Sequence, residues 1–381
     1  MEVEMASPLS VDRLHHVGIV VRDIDLATKR YAEIFGINEW YIRDLGPAEI
    51  TNATVGGRRV EAPRLRIATA TSVPPDDCGW DGTENLNRPV SFELVQPVSG
   101  ESVFMDFRFK RRQGISHLKL GQVNSDDFVQ VRARAAALGI EVAASMTVDG
   151  RIQRYFLDTR KALGGYYVEL DVEPESSGPG PVGCRVDHRG SYSRPEGTGP
   201  LQIFGINHFG IVVDDVMETI QNYRDVFGLN TWEIREWRTE KGSLERPFYR
   251  NKQVDHAYLT ALAIPFLDFG LEIIQPTHGP SHYNREFRDL WGAGIHHMLL
   301  NVSSGPVEWE RTRAWLDSID VPMVMGGGLM EGAAEFGYYD TTEALGGYIL
   351  EAFVLKSHPT QPRDGSSTDF AIDFAALAEQ L

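Results

Sequence analysis

Short runs of alternating apolar and polar residues, each followed by a helical pattern, recur along the chain. In residues 15–21, HHVGIVV, the two-residue period of a strand places Val17, Ile19 and Val21 on one face. His16 falls on the opposite face, together with the glycine two residues later. The pattern predicts a strand that packs against a helix with one face and presents a histidine on the other.

The chain contains a tandem duplication. Residues 15–43, HHVGIVVRDIDLATKRYAEIFGINEWYIR, align without a gap with residues 207–235, NHFGIVVDDVMETIQNYRDVFGLNTWEIR. Two further pairs follow in the same order, GISHLKL with GIHHMLL and YFLDTRKALGGYYVEL with YYDTTEALGGYILE. Three ordered matches of this length do not arise by chance, and a sequence repeat of this kind predicts a repeated fold.

Each half contains two similar units. Each unit has a strand with an early histidine, then a helical pattern, and later a strand with a glutamate. The first helix of each half is predicted to end at a glycine, Gly36 or Gly228. Residues 125–139 predict another helix with a Ser/Asp start and a terminal glycine, and a fourth begins near Ser304. The chain therefore predicts four strand–helix–strands units.

Two polar stretches rich in Gly, Pro and Ser divide the chain. Residues 174–202 predict a linker between an N-terminal domain, residues 12–173, and a C-terminal domain, residues 203–356. The GPGPVG of this linker matches a glycine-rich dinucleotide motif in form only, because no strand precedes it and no helix follows. Residues 357–381 predict a tail with a short amphipathic helix.

Composition narrows the class of protein. The 381 residues carry 54 Asp+Glu against 37 Lys+Arg, and the formal net charge of −17 disfavours nucleic acid and anionic membranes as partners. Two cysteines cannot form a disulfide framework, and the first residues lack the basic and apolar regions of a secretion signal. No apolar stretch is long enough to span a membrane. We therefore expect a soluble cytoplasmic protein.

The polar residues on the strands carry the functional signal. Each half has two glutamates in otherwise apolar strands, on the face away from the helices: Glu93, Glu169, Glu272 and Glu351. Each half also has two histidines on that face: His16, His117, His208 and His297. A buried carboxylate is unfavourable unless it is paired, protonated or bound to metal. Two imidazoles and two carboxylates suit Zn, Ni, Co, Mn or Fe(II), and leave positions on a six-coordinate ion for substrate.

A purely structural role is the alternative for each of these residues. A single strand histidine is more often a hydrogen-bonded core residue, and a buried glutamate can pair with an arginine, so it is the fourfold recurrence that favours metal. His15 and His296 are predicted to point to the opposite faces, which indicates a supporting or structural role. The remaining histidines do not recur with a glutamate strand, and no function is predicted for them: His188, His256, His278, His282 and His358.

Together these motifs resemble the vicinal oxygen chelate superfamily, which includes glyoxalase I, methylmalonyl-CoA epimerase, extradiol dioxygenases and fosfomycin-resistance enzymes. The resemblance covers residues 14–172 and 204–355. It implies an α+β fold of four βαβββ modules, paired into two open barrel-like domains around a metal. The implied ligands lie in the first and last strands of each module: His16, Glu93, His117 and Glu169 in one site, and His208, Glu272, His297 and Glu351 in the other.

Within the superfamily, the chain looks most like the glyoxalase–epimerase branch. Extradiol dioxygenases use two His and one Glu from the C-terminal module pair only, whereas both quartets are complete here. The resemblance implies a divalent-metal-dependent isomerase, epimerase or lyase, without an organic cofactor, that removes a proton next to a carbonyl of a small organic substrate, aromatic or thioester. Glu169 and Glu351 are the expected proton acceptors. The alternatives are an Fe(II) extradiol-type dioxygenase and a non-catalytic, ligand-sequestering protein.

Substrate contacts are expected among the aromatic residues near the motifs: Trp40, Tyr167, Trp232 and Tyr348. Arg111 lies in the basic run 108–112, which could hold an anionic group of the substrate, although a solvated loop is the favoured interpretation. The only expected partner is the small-molecule substrate. The chain is expected to be a monomer or a homodimer, and the sites could form within one half, across the two halves or across subunits.

Overall fold

A computed structural model describes residue 9 and residues 11–73, 88–172, 183–300, 306–329, 332–355 and 369–378. The N-terminal half consists, in chain order, of β1 His16–Val20, α1 Ile24–Phe35, β2 Glu39–Leu45, β3 Ile50–Val55, β4 Arg58–Arg59, β5 Arg64–Thr71, β6 Ser91–Ser99, α2 Val103–Arg111, β7 Gly114–Val123, α3 Ser125–Ala137, β8 Val142–Val148, β9 Ile152–Leu157, α4 Arg160–Leu163, β10 Tyr167–Val172 and β11 Cys184–Asp187.

The C-terminal half repeats this succession. Its elements are β12 Ile206–Val212, α5 Val216–Phe227, β13 Thr231–Arg238, β14 Glu245–Tyr249, β15 Lys252–Gln253, β16 Ala257–Ala263, β17 Gly270–His278, α6 Asp289–Trp291, β18 Gly294–Leu300, α7 Pro306–Ser318, β19 Met323–Leu329, β20 Ala334–Tyr339, β21 Ile349–Leu355, β22 Phe370–Asp373 and α8 Phe374–Ala378. A 3-10 turn, Thr239–Lys241, and two π-helical segments, Tyr283–Arg288 and Thr342–Gly346, complete it.

Within the described residues, each half folds into one open, curled sheet of 11 strands. The order is β11-β2-β5-β6-β1-β7-β10-β9-β8-β3-β4 in the N-terminal half and β22-β13-β16-β17-β12-β18-β21-β20-β19-β14-β15 in the C-terminal half. The two orders correspond strand for strand. In each sheet the first strands of two units pair antiparallel, β1 with β7 and β12 with β18. The expected α+β fold of two open barrel-like sheets is confirmed.

One hairpin in each half departs from the plain strand–helix–strands unit. The hairpin β3–β4 belongs to the first unit in sequence, but β3 pairs with β8 of the second unit. The hairpin β14–β15 pairs with β19 in the same way. Each hairpin therefore ties the first unit of its half to the far edge of the second, which a reading of each unit in isolation does not predict.

The first helix of each half covers the sheet face that the strand pattern assigned to it. Val17 and Ile19 are buried in one core with Tyr31 of α1. The Asp23 side chain accepts a hydrogen bond from the Leu26 amide, and the helix ends, as expected, at a glycine with a left-handed φ of 70°. No helix in the described part of the chain has the length and apolarity needed to cross a bilayer.

The stretches predicted as linker and tail each contribute an edge strand. Strand β11 pairs antiparallel with β2, and β22 pairs antiparallel with β13. An uncovered sheet edge exposes unpaired backbone groups, and in each half the segment that follows the domain covers that edge. In the described part of the tail, the predicted helix corresponds to α8, which begins after the strand β22. Residues 174–182 and 357–368 lie outside the described residues, as do Cys78 and His358.

Candidate metal centres

Four adjacent strands of the N-terminal sheet, β6, β1, β7 and β10, bring the first predicted quartet together. Nε2 of His16 lies 3.1 Å from Oε2 of Glu169 and 3.8 Å from Oε1 of Glu93. Nε2 of His117 lies 3.0 Å from Oε2 of Glu169 and 3.6 Å from Oε1 of Glu93. The quartet therefore forms within one half of the chain, from both of its units.

The C-terminal sheet reproduces this geometry with β17, β12, β18 and β21. Nε2 of His208 lies 3.1 Å from Oε2 of Glu351 and 3.5 Å from Oε2 of Glu272. Nε2 of His297 lies 3.0 Å and 3.4 Å from the same two oxygens. Of the three assemblies left open by the sequence, the structure selects the one inside each half for both quartets.

Each quartet brings four possible metal-donor atoms close together. One nitrogen or oxygen from each of the four residues lies within 4.8 Å of the others. Nε2 of His117 and Nε2 of His297 are buried without a hydrogen-bond partner among the described residues. A buried polar atom left unpaired is unfavourable, and a nitrogen directed between two carboxylates is satisfied by a cation bound there.

The glycine in each HxG motif makes room for a histidine on the neighbouring strand. Gly18 lies opposite His117 in the β1–β7 pair, and a Cβ at Gly18 would come within 2.0 Å of that imidazole ring. A Cβ at Gly210 would come within 1.8 Å of the His297 ring. The space left free by the missing side chain is thus occupied by a predicted ligand.

A bulge in the first strand of the second unit changes the direction of one histidine. Gly210 pairs with His297 and Ile211 pairs with Ile295, so His296 is the extra residue on β18. The bulge lets His296 approach the quartet, with its Nδ1 atom 2.9 Å from Nδ1 of His297. The prediction that His296 points to the opposite face is wrong, because a strict two-residue period does not hold across a bulge.

The charges in the C-terminal quartet stabilise one another. Burial alone would lower the pKa of His208, but its hydrogen bonds to Glu272 and Glu351 outweigh burial and raise that pKa to about 10. Burial alone would raise the pKa of Glu351, but His297 and His208 outweigh it and lower that pKa. Without a bound cation, the two carboxylates therefore favour the imidazolium form of His208.

Comparisons with known proteins agree with this geometry. The family model of the Glyoxalase/Bleomycin resistance protein/Dioxygenase superfamily matches residues 15–157. This N-terminal half belongs to the vicinal oxygen chelate superfamily. The C-terminal half repeats its strand order and its quartet of two histidines and two glutamates, so the chain is a tandem duplication of the vicinal oxygen chelate fold. No curated protein matches the chain significantly.

Two solved structures resemble the chain at low sequence identity. A mutant of 4-hydroxymandelate synthase from Streptomyces coelicolor is 12% identical, with a TM-score of 0.49, over 97% of this chain and 99% of that one. A Mn(II)-bound glyoxalase from Novosphingobium aromaticivorans is 14% identical, with a TM-score of 0.39, over 96% of this chain and 85% of that one.

The two quartets have different surroundings. Tyr338 lies opposite Glu351 in the C-terminal sheet, and its hydroxyl is 2.6 Å from that of Tyr283. In the N-terminal sheet, Phe156 lies opposite Glu169, and Phe104 packs against it at a ring distance of 5.2 Å. The C-terminal site is therefore lined with phenol groups where the N-terminal site has phenyl rings.

An arginine that the sequence analysis did not single out lies inside the N-terminal site. Arg154 Nη2 is 2.7 Å from Oε1 of Glu93 and 2.6 Å from Oε1 of Glu169. Burial would raise the pKa of Glu169, but Arg154, followed by His16 and His117, outweighs burial and lowers that pKa well below its usual range. Arg154 lies on β9 two residues before Phe156, which faces the site. Residues two apart on a strand point to the same face, so this spacing could have indicated that Arg154 also faces the site.

The structure contradicts the expectation that Trp40 and Trp232 contact substrate. Both indoles are buried on the helix side of their sheets, where each packs edge-on against a tyrosine of the covering helix. Tyr348 is buried on the same side, and its hydroxyl meets Tyr31. Aromatic character and closeness to the motifs in sequence suggested these residues. Neither property shows on which face of the sheet a side chain lies.

Two predicted substrate residues remain, Tyr167 and Arg111. Tyr167 is buried on the concave side, with the Arg160 guanidinium 4.6 Å from its ring centre. Arg111 belongs to helix α2 rather than a loop, and it donates a hydrogen bond to the Ala293 carbonyl of the other half. Arg111 therefore joins the two halves.

His282 is a further residue without a role in the sequence analysis that the structure connects to a site. Its Nδ1 atom lies 2.8 Å from Nε2 of His296, and its own Nε2 atom lies 3.7 Å from Oε2 of Glu286. The histidines at positions 282, 296 and 297 form a continuous chain from the C-terminal quartet toward the partly exposed Glu286. Nothing in the local sequence around His282 signals this contact, because it depends on the packing of a π-helical segment against β18.

Proposed function

We propose that the chain is a divalent-metal-dependent enzyme that removes a proton next to a carbonyl group, with an isomerase, epimerase or lyase outcome. The observation that carries this proposal is the buried C-terminal quartet, in which Nε2 of His297 lies 3.0 Å and 3.4 Å from two carboxylates and has no hydrogen-bond partner among the described residues. The superfamily membership of the N-terminal half and the two candidate metal sites support the same class.

The C-terminal quartet is the proposed reaction centre. His208, Glu272, His297 and Glu351 would hold the ion. A bound divalent ion supplies Lewis-acid stabilisation of negative charge that develops on substrate oxygens. The chain's own residues then orient the substrate and move its proton, and the wall of the site excludes water because its tyrosines are buried.

Glu351 is the proposed proton acceptor of this site, and Glu169, expected from the sequence to act in the same way, occupies the corresponding position of the N-terminal quartet. Oε2 of Glu351 contacts both imidazoles, and these contacts lower the pKa of the carboxyl group. A carboxylate held in this way is a weak base, so Glu351 must move away from its cationic neighbours to accept a proton efficiently. Tyr283 and Tyr338 offer hydroxyl groups beside the quartet that can hydrogen bond to a substrate oxygen.

The proposed substrate is a small organic molecule with two neighbouring oxygens, such as an α-hydroxycarbonyl compound or a thioester. Phenol side chains and apolar rings around the C-terminal quartet favour an aromatic substrate. The expected partner is this substrate alone, and the expected location is the cytoplasm.

Deuterium exchange under anaerobic conditions tests the reaction class. The metal-loaded protein is incubated in D2O with a panel of α-hydroxycarbonyl compounds and acyl thioesters, and exchange at the α-carbon is followed by NMR. We expect exchange without oxygen, and its loss in the Glu351→Gln variant while the fold is retained. Turnover that requires and consumes O2 would indicate a dioxygenase instead. Tight ligand binding by a metal-free protein without exchange would indicate a sequestering protein.

A further inference from the structure

We infer that the two quartets are not equivalent and that only the C-terminal one takes a divalent ion, because Arg154 already occupies the cation position of the N-terminal one. This inference rests on the proposed function, since it assigns the metal of that function to one half. The two quartets contain the same four residue types and differ in the residues that surround them.

The Arg154 guanidinium is built into the N-terminal site. It donates from Nη2 to Glu93 and from Nε, at 2.7 Å, to Glu169. The residue is only 6% exposed. Such charge-assisted bonds to carboxylates are strong and directional, and an arginine stays protonated throughout the physiological range. Both carboxylates that a metal would require are therefore bound to a permanent cation.

A second layer of charge holds Arg154 in place. Arg154 lies opposite Asp171 across the β9–β10 pair, and Asp171 accepts a hydrogen bond of 2.5 Å from Lys119. Lys119 in turn lies opposite Glu169 on the other side of β10. A buried charge is tolerated when its partners are fixed around it, and here two cations and two carboxylates alternate across the three strands β9, β10 and β7.

The corresponding positions of the C-terminal half are apolar. Phe336 pairs with Phe353 across β20 and β21, as Arg154 pairs with Asp171. Leu299 lies opposite Glu351, as Lys119 lies opposite Glu169. Among the described residues, the cationic groups in ion-pair contact with Glu272 and Glu351 are the two histidines of the quartet.

The charge balance of the two sites follows from this difference. With neutral imidazoles, the two C-terminal carboxylates carry a charge that a divalent ion neutralises. In the N-terminal site, one of the two negative charges is already neutralised by Arg154. A divalent ion there would lie close to a buried positive charge in a medium that screens it poorly. The N-terminal quartet is therefore a self-paired ionic cluster that maintains the strand arrangement.

Metal stoichiometry in matched variants tests this inference. The full chain is stripped with a chelator, titrated with Co²⁺, desalted and analysed for bound metal. We expect about one ion per chain in the parent, about one in Glu169→Gln, and almost none in Glu351→Gln. In Arg154→Phe, which installs the residue found at position 336, we expect about two ions and a gain of at least about 100-fold in affinity at the N-terminal site.

Two further variants separate a failure of folding from a failure of the inference. Arg154→Phe combined with Glu351→Gln should bind about one ion, and Co²⁺ should raise its melting temperature. Phe336→Arg, the reverse exchange, should abolish Co²⁺ binding to an otherwise intact chain.

Two ions of similar affinity in the parent, or an ion removed by Glu169→Gln but not by Glu351→Gln, would overturn the inference. A parent that binds no Co²⁺ would overturn the proposed function, whereas a gain of one ion in Arg154→Phe would still support the role of Arg154.

Discussion

The hydroxyl oxygens of Tyr31 and Tyr348 lie 3.0 Å apart across the contact between the two halves of the chain. Their counterparts, Tyr223 and Tyr166, lie 2.9 Å apart. In each pair the helix tyrosine also donates to a backbone carbonyl of the opposite half, at Leu345 or Leu163. The duplication has thus produced a reciprocal contact in which the first helix of each half packs on the glycine-containing turn of the other.

Tyr31→Phe should destabilise the protein by about 1–3 kcal/mol, because it removes one hydroxyl and leaves the buried Tyr348 hydroxyl without its acceptor. The free energy of unfolding in urea measures this. Tyr155→Phe is the matched control, since its hydroxyl bonds an exposed glutamine, and it should change stability by less than about 0.5 kcal/mol. Equal effects of the two substitutions would contradict the importance of the interface pair.

Gly210→Ala should displace the His297 ring, because the added methyl group would lie within 1.8 Å of it. We expect a loss of stability of about 1–3 kcal/mol, typical of overpacking, together with a loss of Co²⁺ binding. Gly18→Ala should destabilise the N-terminal sheet similarly but leave Co²⁺ binding unchanged. Gly199→Ala is the control, since a Cβ there meets nothing within 4 Å. Unchanged metal binding in Gly210→Ala would exclude His297 as a ligand.

His296→Ser should weaken metal binding about 10- to 100-fold, because His296 orients His297 through contact between their Nδ1 atoms. Serine is the natural counterpart, since Ser116 lies 2.9 Å from Nδ1 of His117 in the other half. The affinity for Co²⁺ can be measured by calorimetry. Ser116→Ala provides the control and should leave that affinity unaltered. An unaltered affinity in His296→Ser would show that His297 is held by its strand alone.

Metal binding to the C-terminal quartet should release protons and strengthen as pH rises. In the metal-free site the pKa of His208 is raised to about 10, and that of His297 is also raised, because burial is outweighed by Glu272 and Glu351. A ligand imidazole must be neutral, so binding at pH 7 should release protons, at least one of them from His208. Calorimetry in buffers of different ionisation enthalpy counts them, and His16→Gln should leave the count unchanged. Binding that releases no protons would contradict this charge state.

Much of the organisation is predictable from local sequence. The HxG motifs, the repeated LGGY endings and the alternation around Glu93 and Glu272 depend only on strand periodicity and on the match between the halves. The helix ends at Gly36 and Gly228 are also local, because a residue with a left-handed φ terminates the helix wherever the rest of the chain lies.

The errors arise where strand direction or neighbours are decided at a distance. His296 turns inward at a bulge whose position depends on pairing with β12. Trp40 and Trp232 enter the helix-side core, which depends on how the strands after the helix join the sheet. Residues 184–187 become a strand because β2 offers them an open edge.

The sequence by itself thus determined the duplication, the four units and the eight candidate ligands, since each of these follows from the repeat or from periodicity within a short segment. Only the tertiary structure decided that each quartet assembles within one half and that one quartet contains Arg154 where the other has Phe336 nearby. The physical reason is that cross-strand register brings together residues far apart in the chain, and the charge of a site depends on those neighbours rather than on the ligands alone.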